Sequence, residues 1–187
     1  MHLQTHALAS WLLAEAGPPS MTRRDRCLVL VAGLAPDLDA LTILGGVEVY
    51  QAWHRLLLHN VAGAAATTLI CAALAHARPA VALLALVSFH LHLGLDLLGS
   101  AGPDGSIWGI PYLAPFSRHE YSWAGQWGLG SWPNVVITAA LLLASWAVAV
   151  RRGRTLIESL SIRGDAALVE VLRRRWPASL GGWQRPR

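Results

Sequence analysis

The chain has 187 residues, of which 54% are hydrophobic and only 14% charged, and its mean hydropathy is positive. This composition is too apolar for an ordinary soluble domain and predicts an all-α fold, a polytopic membrane bundle of about four spanning helices plus a short N-terminal helix. The formal net charge of +4 does not indicate nucleic-acid binding, because the basic residues, all of them Arg, cluster at segment ends and in the tail.

Apolar segments separated by short polar breaks define the predicted helices. A short helix over residues 5–16 is closed by Gly17-Pro18-Pro19, and Gly45-Gly46 with Glu48 predicts a turn. The four predicted spans are residues 27–44, broken at Pro36, 60–75, 80–98 and 134–150. We expect the first helix to be retained, since it has no basic residues before it and therefore differs from a signal peptide.

The distribution of Arg predicts how the chain lies in a bacterial-type inner membrane. The loop around Arg23, the turn at Arg78 and the tail after residue 150 fall on one side, which should be cytoplasmic. Residues 1–150 then form the membrane-embedded domain, and residues 151–187 form a basic tail with an amphipathic helix over 165–176. The loop over 99–133, rich in Gly, Pro and Trp, faces outward.

The stretch His90-Leu91-His92-Leu93-Gly94-Leu95-Asp96 brings two imidazoles and a carboxylate into a long apolar run. In a helix, His92 and Asp96 are one turn apart on one face, whereas His90 points to a nearly opposite face. An ionisable pair at this depth costs several kcal/mol unless a partner compensates it. We expect that partner to be a divalent metal ion, although a hydrogen-bonded pair within the membrane is an alternative.

Other polar residues in apolar sequence are expected at the same depth, in the outer half of the bundle. Asp37 lies about 10 residues, or roughly 15 Å, into its span, and an antiparallel first helix lifts His6 to a similar height. The candidate metal ligands are His6, Asp37, Asp39, His54, His59, His92 and Asp96. Imidazoles and carboxylates without Cys favour one or two ions of Zn²⁺, with Mn²⁺ or Fe²⁺ as alternatives.

Several of these residues also have an ordinary structural interpretation. Pro36 followed by Asp37 and Asp39 is a common start of a helix, with carboxylates in the first turn. His54 and His59 are five positions apart and do not share a helix face, so they also fit an interfacial residue and a residue at a helix start. For Asp37 and Asp39, the apolar segment with no basic residue nearby in sequence favours the metal-binding interpretation. His54 and His59, each taken alone, more often have the ordinary role, and they count as ligands only as part of the whole set.

The ordered set of motifs resembles the YdjM-type family of inner-membrane metal-dependent hydrolases over roughly residues 1–150. The motifs are His6, Pro36-Asp37-Leu38-Asp39, His54-Arg55-x-x-x-His59 and His92-x-x-x-Asp96. Their order is also similar to that in the zinc-dependent phospholipase C and P1-type nuclease group. The resemblance implies metal ligation by His6, Asp37, His59, His92 and Asp96. It further implies that Asp39 and His54 are ligands or catalytic groups beside the metal. Where the family usually has Gly, Thr and Ser, this chain has Leu56, Leu58 and Asn60.

We therefore expect a membrane-bound hydrolase that cleaves a phosphoester in a lipid or amphiphilic substrate. A metal ion would activate water, Asp37 or Asp39 would accept the proton, and Arg55 would contact a phosphate oxygen. The predicted catalytic residues are Asp39, His54 and Arg55. Two alternatives stay open: a metal or proton transporter, which should carry ionisable groups at several depths, and a non-catalytic scaffold with a structural metal. Membrane lipid is the expected partner, and the sequence does not indicate the oligomeric state.

Overall fold

The computed structural model describes residues 1–176, and within them the chain is helical, with isolated bridges only in the long loop. The α-helices are α1 (Leu3–Glu15), α2 (Arg23–Leu34), α3 (Val47–Trp53), α4 (Val61–Leu74), α5 (Arg78–Gly99), α6 (Trp132–Arg152) and α7 (Ile162–Arg175). Two 3₁₀-helices, Pro36–Gly45 and Leu156–Ser159, lie between them. The predicted all-α fold is confirmed.

Capping residues explain where several helices begin. The Thr22 hydroxyl accepts a hydrogen bond from the Asp25 backbone N–H, and the Asp25 carboxylate accepts one from the Thr22 N–H, which is a complete capping box. At the start of α4, the Asn60 side-chain oxygen accepts from the Gly63 N–H. Pro133 lies at the start of α6, where the absence of an N–H costs nothing.

Helix α5 is central to the bundle, since it packs against α2 and α4 while α1 packs against α2 and α6. Three helices come close together at Gly33. A Cβ atom there would lie 1.9 Å from the Ser10 hydroxyl of α1 and 2.3 Å from the Ser88 hydroxyl of α5. Only glycine allows these three backbones to come this close.

Among the described residues, α5 and α6 are long and apolar enough to cross a membrane. Helix α2 and the 3₁₀-helix Pro36–Gly45 add a third span if this pair, bent by 56°, counts as one. Helix α4 has 14 residues, about 21 Å of helix, which is less than a hydrocarbon core of about 30 Å. The prediction of about four spans is therefore not confirmed.

The structure differs from the sequence prediction at the turn after Gly45 and agrees with it on an amphipathic helix in the tail. Instead of a simple turn, Gly46, at a φ of 102°, is followed by the short helix α3. Helix α7 occupies the predicted amphipathic segment, and the rest of the predicted tail, residues 177–187, lies outside the described residues. Cys27 and Cys71 are free thiols.

Candidate metal centre

Helix α5 supplies the two residues at the centre of the site. His92 and Asp96 are both buried, and four-residue spacing brings the His92 Nε2 to 3.4 Å from Asp96 Oδ2. The other ring nitrogen of His92, Nδ1, donates to the backbone carbonyl of Gly33 over 2.8 Å. Helix α2 ends at Leu34, so this carbonyl belongs to the last turn, where carbonyls lack partners within the helix.

The break after α2 brings a second carboxylate to the same place. Pro36 cannot continue the hydrogen bonding of α2, and the chain turns by 56° into the 3₁₀-helix Pro36–Gly45. Asp37, in the first turn after the break, has Oδ1 3.5 Å from His92 Nε2. Its side chain is 28% exposed, more than the other three members of the group.

The loop between α3 and α4 supplies the fourth residue, His59. Its Nε2 lies 3.4 Å from Asp96 Oδ2, and its Nδ1 donates to Asp39 Oδ2 over 2.8 Å. The loop turns at Arg55, whose φ of 70° is uncommon for a residue with a side chain. This turn directs His59 back towards α5.

One ligand atom from each of Asp37, His59, His92 and Asp96 lies within 4.8 Å of the other three. These four residues, which we call the metal group, could hold a metal ion. Both imidazoles present Nε2 to the group, and both Nε2 atoms are buried without a hydrogen-bond partner. A histidine ligand usually donates its other nitrogen to a carbonyl or carboxylate, as His92 and His59 do here. Two carboxylates and two imidazoles fit Zn²⁺, Mn²⁺ or Fe²⁺.

His6, a predicted ligand, borders this group. Its Nε2 lies 3.1 Å from Asp96 Oδ1, and its ring stacks on His92 with a centroid distance of 3.7 Å. Burial lowers the pKa of His6, which favours the neutral form that binds metals. The Met1 amino group and the Ser100 hydroxyl also contact Asp96 Oδ1.

Asp39 and His54 were predicted as metal ligands and catalytic residues, but the structure places them outside the four-residue group. The Asp39 carboxylate accepts hydrogen bonds from His54 Nδ1, from His59 Nδ1 and from the Arg55 backbone N–H, each over 2.8 Å. Both oxygens of Asp39 are therefore occupied. In this geometry Asp39 orients the loop and the His59 ring.

Three further polar residues, His90, His119 and Glu120, are not part of the group. His90 Nε2 is hydrogen-bonded to the Tyr112 hydroxyl, and His90 Nδ1 donates to the Leu86 carbonyl. The ring therefore points away from His92 and Asp96, as predicted. His119 is exposed in the long loop, while Glu120 lines a cavity next to His54 and Arg55.

Sequence reasoning missed Gly33, which contributes through its carbonyl. A backbone acceptor has no side-chain signature, and a helical glycine next to a break was the one available signal.

A comparison with known families gives a match over most of the chain. A family model described as YdjM inner membrane protein matches residues 1–175. Neither the curated proteins nor the solved structures yielded a match, and the predicted likeness to the phospholipase C and P1 nuclease group finds no support there. The family description and the long apolar helices place the protein in a membrane. The chain belongs to the YdjM inner membrane protein family.

Proposed function

We propose that the protein is a membrane-bound, metal-dependent hydrolase acting on a phosphoester of a lipid or amphiphilic substrate. The observation that carries the proposal is the pair of buried Nε2 atoms, on His59 and His92, that face two carboxylates and have no hydrogen-bond partner. Burial of such groups is costly unless a cation completes the arrangement.

The side chains around the group have different tasks in this proposal. A bound divalent ion would lower the pKa of a coordinated water and polarise a phosphoryl oxygen. Asp37 is the partly exposed carboxylate, so it is the better candidate to accept a proton from incoming water. Asp39 holds the His59 and His54 rings in orientation. His54, with a side chain 15% exposed, lies where it can contact substrate.

Finer features of the proposal rest on the sequence. The order of the motifs is similar to that in the zinc-dependent phospholipase C and P1-type nuclease group, which is why we propose zinc and a phosphoester. The Arg distribution favours a multi-pass chain with the site towards the extracytoplasmic side and the tail after residue 150 in the cytoplasm.

Metal content and hydrolysis of the same detergent-purified protein test the proposal. We expect stoichiometric metal, and cleavage of bis(p-nitrophenyl) phosphate or of phospholipid in mixed micelles. Asp37→Asn and Asp96→Asn should lose most of both, whereas Glu170→Gln, which removes an exposed carboxylate on α7, should retain them. Full metal binding and activity in both Asp variants would end the proposal. Metal uptake by proteoliposomes without any hydrolysis would favour a transporter.

A further inference from the structure

A cavity of about 710 Å³ lies next to His54 and Arg55. Tyr50 and Trp53 of α3 line one side of it, and Trp108 of the long loop lines another. The loop wall is fixed by the backbone groups of Ile110 and Tyr121, which exchange two hydrogen bonds of 2.8 and 2.9 Å. A preformed space of this size suits a small ligand or the headgroup of an amphiphile.

Arg55 is a buried cation on the wall of this cavity. Only 7% of the residue is exposed, its Nη1 donates to the Trp108 carbonyl over 3.1 Å, and its guanidinium carbon lies 4.9 Å from the centre of the Trp108 ring. Its Nε is buried without a hydrogen-bond partner. Among residues 1–176, no carboxylate forms an ion pair with Arg55.

The other buried arginine of the described chain shows what Arg55 lacks. Arg26, 8% exposed, forms ion pairs with Glu15 and Glu158. A buried guanidinium without such a partner carries a large desolvation cost. The carboxylates of Asp96 and Asp39 act on Arg55 only from beyond ion-pair distance, and Glu120 lines the same cavity without pairing with it. A phosphate in the cavity would give the guanidinium a direct anionic partner.

We propose that this cavity binds the headgroup of the substrate and that Arg55 holds a phosphate oxygen there. The planar guanidinium matches phosphate geometry, and Arg118 adds a second positive charge to the cavity lining. The Arg55 backbone N–H and His59 Nδ1 both donate to Asp39 Oδ2, so one carboxylate joins this subsite to the metal group. The assignment of the ligand as a substrate rests on the proposed function, whereas binding of the anion does not.

Binding of dihexanoyl phosphatidic acid to the detergent-purified full chain, after chelation of metal, tests the subsite separately from hydrolysis. We expect wild type to bind this lipid and not dihexanoyl glycerol, which lacks the phosphate. Arg55→Gln should weaken binding by roughly tenfold or more. Arg55→Lys keeps the positive charge but lacks the planar guanidinium, so it should weaken binding less than Arg55→Gln does. Arg24→Gln, an exposed arginine of α2, should leave binding unchanged.

The same experiment separates the sources of the anion. If inorganic phosphate displaces the bound lipid and binds as tightly as the lipid does, the site is one for free phosphate. If inorganic phosphate does not displace the lipid, the site is one for a lipid headgroup. Equal binding of the two lipids by wild type overturns the inference and requires no substitution. Unchanged binding in Arg55→Gln also overturns it.

Metal content and hydrolysis, measured on portions of the same preparations before chelation, distinguish the two proposals. Intact hydrolysis with no Arg55-dependent binding overturns the subsite alone. Arg55-dependent binding without hydrolysis overturns the proposed function alone.

Discussion

Helix α1 carries a buried ionic cluster near each end, and the buried negative charges of the two clusters are compensated in different ways. Near its start, His6 contacts Asp96 and stacks on His92. Nine residues later, about 14 Å along the helix, Glu15 is 2% exposed and forms three ion pairs. Its partners are Arg26, Arg152 and Arg154, at 3.0–3.2 Å.

The comparison shows that equal burial has two different meanings in this bundle. The Glu15 cluster contains positive charge from the chain itself, so it needs nothing from outside. In the metal group the chain supplies one such charge, the Met1 amino group on Asp96. Among the described residues Asp37 has no Arg or amino partner, and the Nε2 atoms of His59 and His92 have no hydrogen-bond partner. We therefore interpret the Glu15 cluster as structural and the metal group as a binding site for a cation.

Breaking the Glu15 cluster should have the largest effect on stability. Glu15→Gln removes the ion-pair partner of Arg152 and Arg154 and leaves the buried Arg26 with Glu158 alone, so we expect a loss of about 3–5 kcal/mol in the free energy of unfolding. Bound metal per chain should stay the same. Denaturant titration in detergent with metal analysis measures both, and Glu170→Gln, an exposed pair with Arg174, should change stability by about 0.5 kcal/mol or less. A parallel loss of metal would show that the two clusters are not independent.

Metal removal should destabilise only a protein with an intact metal group. At free metal about 100 times the dissociation constant, binding adds roughly 3 kcal/mol to the stability of the folded state. A chelator should therefore lower the unfolding midpoint of wild type and of Glu15→Gln. His92→Ala should show no chelator effect. An equal shift in His92→Ala would mean that the chelator acts elsewhere.

Gly33→Ala tests the close approach of α1, α2 and α5 next to the metal group. The added methyl meets the Ser10 and Ser88 hydroxyls, so we expect a loss of about 1–3 kcal/mol. Movement of α2 would also shift the carbonyl that accepts from His92, which should weaken metal affinity. The control is Gly94→Ala on α5, where a Cβ meets no atom within 4 Å. Calorimetric metal titration of both variants measures the difference.

Asp39→Asn should have the smallest effect, since it alters a residue that orients a ligand. Weaker hydrogen bonding to His59 should lower metal affinity by roughly 10–100-fold, with the fold retained. Competition with a chromogenic chelator measures the affinity. The exposed Asp104→Asn is the matched control. An abolished site would instead favour direct ligation by Asp39, as the sequence first predicted.

Helix positions could be predicted well wherever a long apolar run defined them. The segments predicted over 80–98 and 134–150 are α5 and α6 with two or fewer residues added at each end. Helix α3 was missed because its seven residues follow Gly45-Gly46 and contain barely two turns of periodic pattern.

The meeting of separated polar residues could also be predicted, because the height of a residue follows from its position along a helix. This reasoning brought Asp37 and His59 to the level of Asp96. It could not decide which carboxylate faces a metal and which supports a histidine. That distinction depends on loop geometry around Arg55 and on the direction of individual ring nitrogens, neither of which has a sequence pattern.

The break after α2 has a mechanical consequence. The carbonyl of Gly33, before the break, accepts a hydrogen bond from His92 Nδ1. The Oδ1 atom of Asp37, after the break, lies 3.5 Å from His92 Nε2. A metal ion coordinated by both Asp37 and His92 would connect the two sides of this bend and make it more rigid. Amide hydrogen exchange in Pro36–Gly45 should therefore slow when the protein is loaded with metal, so that the segment reports occupancy.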